Sequence, residues 1–424
     1  MKKWNVTYWL VAALLTTACA RELDLELAKE PSDTLAAVAF QAGMATPADG
    51  TRGANGRDIG GATAVGTGSL TLAGAGGFGV FASYTGLHRF ADSNISSDFM
   101  YNEHVGWDAV NSVWTYEPVK YWPNGESTST DVTAPRYVSF FAYAPYAAPG
   151  SDTPAGYCIP AFHLQQEVTN PWLTYRLHTD VAQQVDLLYA TPLLDQTKTA
   201  VGSRLQLQFH HALACVGDQL TISCSTDMKE AVRELVTGGT TAAEVLLTEV
   251  SVSYTLTERG RLVLWTAGEA NWQPIVSGEP TTERTVVLTP ASPFRLYRYD
   301  GSSATAASWQ DTGHGVFYIP IHTGRNVQTA TVNVGYDVVE TVGGAPSATH
   351  HTTSAVITLS DYAEGYQSGR HLYLNLTLSG GSDGGSGGGG GETPASVAVA
   401  LGSATIASWT DGDTTSGTIS PTMP

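Results

Sequence analysis

The chain has 424 residues, a formal net charge of -18 and only 14% charged residues, with 45 glycines. That length accommodates two ordinary domains with termini to spare. Its lysines are Lys2, Lys3, Lys29, Lys120, Lys198 and Lys229, too few and too scattered to neutralise a run of phosphates, so the composition excludes a nucleic-acid partner.

In chain order, Lys2 and Lys3 precede an apolar run to Leu15, followed by Thr16, Thr17, Ala18 and Cys19. The run is too short to span a bilayer and reads as an export signal that is cleaved. Small residues directly before a cysteine resemble the bacterial lipoprotein cleavage box, which makes residues 1–19 the lipoprotein signal segment, cut before Cys19, with Cys19 the lipidated first residue of the mature chain. Thr16 takes the position usually held by leucine, and an ordinary signal peptide with an incidental cysteine is the alternative. Residues 20–34 are polar and acidic, as a tether would be.

Residues 35–41 form the first candidate strand, with Val38 and Phe40 on one face. Residues 42–68 are rich in Gly, Ala, Thr and Asp and are expected to form an exposed loop. Within that loop Arg52 and Arg57 are flanked by small residues that would fit a protease cleft. Alternating apolar stretches then recur at 79–84, 113–116, 137–143, 185–190, 204–216, 249–256, 261–265, 284–288, 295–299, 316–321, 330–339, 355–359 and 371–378. Strand after strand with short turns between signals an all-β sandwich architecture. The one good helix candidate is 228–236, where Met228, Ala231, Val232 and Leu235 share a face, Asp227 and Glu230 supply a cap and Gly238 the stop.

The polar, turn-rich stretch 191–202 suggests a division into an N-terminal domain, 35–198, and a C-terminal domain, 199–378. Next comes a linker, 379–391, in which nine of thirteen residues are glycine. A linker of that length spans roughly 20 Å root-mean-square, enough to carry the tail, 392–424, clear of its own domain. In the tail Val397, Val399 and Leu401 alternate on one phase, Gly402 permits a kink, and Ile406 resumes the pattern on the other phase before Trp409. The tail is therefore expected to be a mobile strand that pairs with a different molecule.

Other motifs point to no chemistry. Residues 74–79 match GxGxxG, but the adjoining segment 80–84 is strand-like, whereas a dinucleotide site needs a helix there. The adjacent pairs His210-His211 and His350-His351 point to opposite faces of a strand and cannot chelate one ion. No credible nucleophile, base and oxyanion set occurs, so no catalytic residue, no metal and no cofactor are expected, and the chain is read as not an enzyme. Cys215 and Cys224 either pair across a hairpin or are buried thiols. Trp107, Trp114, Tyr116, Tyr121 and Trp122 lie close in sequence and either present a sugar-stacking surface or pack in the core.

Three stretches together resemble the fimbrillin family of Bacteroidetes. They are Trp114-Thr115-Tyr116-Glu117-Pro118-Val119-Lys120-Tyr121-Trp122-Pro123 leading into Ser139-Phe140-Phe141-Ala142-Tyr143-Ala144-Pro145-Tyr146; Asp186-Leu187-Leu188-Tyr189-Ala190 followed by Leu205-Gln206-Leu207-Gln208-Phe209-His210-His211-Ala212-Leu213-Ala214; and Gly369-Arg370-His371-Leu372-Tyr373-Leu374-Asn375-Leu376 before a closing strand ending at Trp409. The resemblance implies two tandem transthyretin-like β-sandwich domains, exported as a lipoprotein with a lipid anchor in the outer membrane and assembled into fimbriae on the cell surface with other fimbrial subunits. It implies that an early strand occupies a groove in the precursor, an arginine-specific protease cuts the loop behind it, and a C-terminal strand of the next subunit takes its place. On this chain the displaced strand would carry Val38 and Phe40, the cut would follow Arg52 with Arg57 as fallback, and Val397, Val399, Leu401, Ile406 and Trp409 would belong to the donor strand. The long glycine run departs from the family pattern and leaves stalk, tip or accessory rank open. The alternative reading is a glycan-binding surface lipoprotein.

Overall fold

The computed structural model describes residues 36–45, 57–63, 70–92, 98–123, 135–148, 171–198, 204–236, 238–275, 281–321, 327–361, 367–379, 398–408 and 418–419. Along the chain the strands are β1 (Phe40–Met44), β2 (Ile59–Gly61), β3 (Leu70–Thr71), β4 (Phe78–Gly86), β5 (Met100–Asp108), β6 (Val113–Thr115), β7 (Tyr137–Ala144), β8 (Trp172–Arg176), β9 (Leu188–Ala190), β10 (Leu193–Gln196) and β11 (Leu205–His211). They continue with β12 (Ala214–Cys224), β13 (Thr240–Thr257), β14 (Arg259–Val263), β15 (Asn271–Gln273), β16 (Thr281–Val287), β17 (Phe294–Tyr299), β18 (Ala304–Ala306), β19 (Trp309–Thr312) and β20 (Val316–Tyr318). The last are β21 (Thr329–Val342), β22 (Ala345–Thr358), β23 (Arg370–Ser379), β24 (Ala398–Ser408) and β25 (Thr418–Ile419). The architecture is all-β, with one α-helix, α1 (Thr226–Leu235), and three short 3-10 turns among the described residues.

The first half is an eight-stranded sheet ordered β1-β11-β9-β7-β4-β5-β6, with β10 added to β7. Alternation explains how both of its faces are used. On β7, Val138, Phe140, Ala142 and Ala144 enter one core with Phe78, Val80 and Ala82 of β4, while Phe141 and Tyr143 enter another with Phe81. A strand buried on both faces reads as a near-continuous apolar run, as residues 138–144 do. Gly77 makes the turn into β4 with φ of 80°, where a Cβ would come within 2.2 Å of the Val105 carbonyl oxygen, so only glycine fits.

The second half is a sandwich of two sheets, ordered β19-β12-β23-β24-β25 with β20 on β12, and β18-β17-β13-β21-β22 with β16 on β13. Its core brings Val216, Leu220 and Ile222 against Val245, Val252 and Tyr254, and Met228 and Val232 of α1 close one end. Ser225, rather than Asp227, caps that helix, its side chain accepting the Met228 N–H. Cys215 and Cys224 are both buried free thiols on the single strand β12, so the hairpin disulfide is not formed, and burial raises the Cys224 thiol to about 12.

β11 pairs with β1 and β9 of the first sheet, and β12 is the first strand of the second half. Within the polar stretch that begins at 191, Leu193–Gln196 form β10, which pairs with β7 of the first sheet. The halves are also joined by strand pairing. β8 of the first half pairs with β14 of the second, in a three-stranded sheet completed by β15. A third apolar core runs through this seam, with Phe141, Tyr143, Leu173 and Tyr175 from one side and Leu262, Phe317, Ile319 and Ile321 from the other.

Candidate functional site: the seat of the first strand and the C-terminal strand

Residues 36–45 occupy a seat with backbone partners on two sides. Val38 N–H donates to the Lys120 carbonyl at 2.8 Å, and Trp122 N–H donates to that of Ala36 at 2.9 Å. From Ala39 onward the partners change to the other edge: Leu205 N–H donates to Ala39 at 2.8 Å, and β1 runs parallel to β11 with Phe40 opposite Leu205 and Met44 opposite Phe209. The expected alternation holds, with Val38 and Phe40 each 1% exposed and Gln41 outside, accepting from the Gln206 amide at 3.2 Å. Phe40 meets the rings of Tyr116, Phe140 and Phe78 at centroid distances of 5.7, 6.0 and 6.2 Å. The Tyr116 hydroxyl donates to the Val38 carbonyl at 2.8 Å, and burial pushes that phenol up to about 12. Burying the two side chains contributes roughly 3–6 kcal/mol before ordering costs.

Most of the aromatic cluster noted in the sequence forms the floor of this seat. Trp114, Tyr116 and Trp122 are buried in the same core as Val38 and Phe40, and Tyr121 is 45% exposed. Trp107 packs against the same core, its ring 5.2 Å from that of Trp114, so packing in the core is the observed role of four of the five rings. They do not form a flat platform.

The tail behaves differently from the expectation of a strand free of its own domain. β24 pairs antiparallel with β23 along its whole length, and β25 pairs with β24. The register places Val399 opposite Leu378, Leu401 opposite Leu376, Ala404 opposite Leu374 and Ile406 opposite Leu372, with Gly402 as the one extra residue between them. A single-residue bulge thus brings two opposite apolar phases into one register, against strand positions whose own side chains are buried. The physical reason is the edge of β23, whose unpaired N–H and C=O groups would accept any apolar strand held nearby, and being part of the same chain keeps this one at a high local concentration.

Cys19, Arg52, Val397 and Trp409 lie outside the described residues. Arg57, the fallback cleavage residue, is anchored: its guanidinium donates to the carbonyls of Val181 and Gly315 and lies over the Phe317 ring at 5.1 Å.

A cluster of buried titratable side chains at the seam was not singled out from sequence. His211 Nδ1 is 2.6 Å from an Asp186 carboxylate oxygen, and His371 lies between Asp58 and Asp218, 3.8 Å from each. Burial raises the Asp186 carboxyl above its ordinary range, against the opposing pull of His211. Burial also lowers His371 to about 4 although Asp218 and Asp186 favour its cation, and it raises the Cys215 thiol well up, with Asp218 and Asp58 adding to the effect. The available signal was an ionisable residue inside an apolar strand pattern, as at Asp186, His211 and His371.

Against known proteins, no family model matches the chain. Over 180 residues it is 26% identical to the fimbrium subunit Fim1C of Phocaeicola vulgatus, a match covering 38% of this chain and 42% of that relative's length. A crystal structure of a fimbrial protein from Bacteroides vulgatus ATCC 8482 superposes with a TM-score of 0.55 at 18% identity, covering 80% of this chain and 95% of the other. The chain is thus similar to fimbrial subunits of this bacterial group, in agreement with the resemblance carried by its sequence motifs, and shares the all-β fold of a solved fimbrial protein.

Proposed function

We propose that the chain is a non-enzymatic subunit of cell-surface fimbriae, exported as a lipoprotein precursor through Cys19, held at the outer membrane, and supporting adhesion. An arginine-specific protease cuts behind β1 at Arg52, β1 leaves its seat, and the C-terminal strand of another subunit replaces it. The observation that carries this reading is the seat itself. A short strand at the sheet edge buries Val38 and Phe40 completely and is held by backbone bonds to two separate segments. Its loss would leave an apolar trough lined by unpaired backbone groups, a state satisfied by an incoming strand. The cis-paired β24 is the reserve strand, parked on β23 until a neighbour's seat opens.

The test is assembly after a defined cut. Purified precursor treated with a trypsin-like protease should form ladders that resist denaturing gel conditions, whereas uncut precursor and a cut chain lacking residues 392–424 should remain monomeric. Ladders from the truncated chain would exclude the tail as donor.

A further inference from the structure

Three consecutive residues, Arg57, Asp58 and Ile59, fasten together parts of the chain that are far apart in sequence. The Arg57 guanidinium bonds one carbonyl from the first half, Val181, and one from the second, Gly315, and covers Phe317 of β20. The Arg57 carbonyl accepts from Asp186 N–H at 3.3 Å, and that of Asp58 from Leu70 N–H at 3.0 Å. Asp58 is 1% exposed, and its carboxylate faces His371 of β23. Ile59 N–H donates to the Asp186 carboxylate at 3.4 Å, and the Ile59 side chain is buried in the core that contains Val38 and Phe40. The cation and the carboxylate thus sit in the seam, while the isoleucine sits beneath the seat of β1.

A protease can hydrolyse a bond only when several residues on either side extend into its cleft, so cleavage within ordered structure follows the population of a locally opened form. Opening here would break two charge-assisted hydrogen bonds and a cation–π contact and would expose Asp58 and Ile59 together. We propose that residues 57–59 are a clasp, which withholds the Arg57–Asp58 bond from arginine-directed proteases and keeps the body's new N-terminus fastened across the seam after a cut upstream. The contacts of the clasp are independent of function; its part in processing rests on the fimbrial reading above.

Limited trypsin digestion of the full-length chain, followed by mass spectrometry and N-terminal sequencing, tests the first half of the proposal. Fragments beginning at Asp58 should form about a hundredfold more slowly in the native chain than in a synthetic peptide of residues 53–63. Ile59→Ala, which keeps the arginine but removes the buried side chain, should speed their formation at least tenfold. Should that variant not fold, Ile59→Val, a smaller change to the same buried side chain, supplies the same comparison with a smaller acceleration. Fragments starting at Asp58 among the first products of the wild-type chain, at a rate unchanged in the variants, would overturn the clasp. Hydrogen exchange on chain cut upstream tests the second half: the Ile59 amide should remain protected, and exchange at the rate of a free peptide would refute it. Neither readout requires assembly, so absent ladders with an intact clasp would count against the fimbrial reading alone.

Discussion

Replacing Phe40 by alanine should show whether β1 is an exchangeable strand. The ring is 1% exposed and walled by Tyr116, Phe140 and Phe78, three rigid groups that cannot close over the space left behind. Deleting such a side chain costs about 3–5 kcal/mol. In the uncut chain the full cost need not appear, because a tethered strand can leave its seat and the loss stops at the free energy of that local release. Once the loop behind it is cut, the strand is a bound peptide and the whole cost enters its affinity, a weakening of roughly a hundredfold to several thousandfold. Fluorescence polarisation of a labelled peptide of residues 35–45, with and without Phe40→Ala, against cut and stripped protein measures it directly. A difference below threefold would refute the assignment of Phe40 as the anchor of the seat.

The remaining predictions are more direct. Tyr116→Phe removes the bond to the Val38 carbonyl, which should cost about 1 kcal/mol and weaken the same peptide roughly fivefold; equal affinity would mean that the hydroxyl contributes nothing to the seat. Cys19→Ala should abolish metabolic labelling with a fatty acid, and continued labelling would end the lipoprotein assignment. Val399→Asp places a carboxylate opposite Leu378, a cost of several kcal/mol in an apolar setting, and should eliminate surface ladders; normal ladders would count against strand exchange. Because His371 is held near 4 in the folded chain, the unfolded chain takes up that proton first as pH falls through about 6.5, and stability declines down to pH 4 by up to about 1.4 kcal/mol per pH unit. Asp186, shifted upward, contributes in the opposite sense, so the histidine is isolated by comparing urea midpoints of wild type and His371→Asn between pH 4 and 7. Parallel curves would show that the folded and unfolded chains take up that proton together and that His371 is not depressed by burial.

Local alternation was enough to place Val38 and Phe40 on one buried face, because a strand's two-residue period is written in consecutive side chains and does not depend on which strand lies alongside. The same holds for the opposite apolar phases on either side of Gly402, which the structure joins through a one-residue bulge. The identity of the neighbours was a different matter. That β1 runs parallel to β11, that β8 joins β14 across the halves, that β11 belongs to the first sheet, and that β24 lies on β23 of its own chain are all pairings between distant segments. The backbone groups that make these ladders are the same at every residue, so sequence pattern sets which face of a strand is buried but not which edge it meets. The seam cluster of Asp58, Asp186, His211, Asp218 and His371 depends on those same pairings: each residue reads singly as an isolated polar position, and only the closing of segments distant in sequence, around 58, 186, 211–218 and 371, brings the charges together.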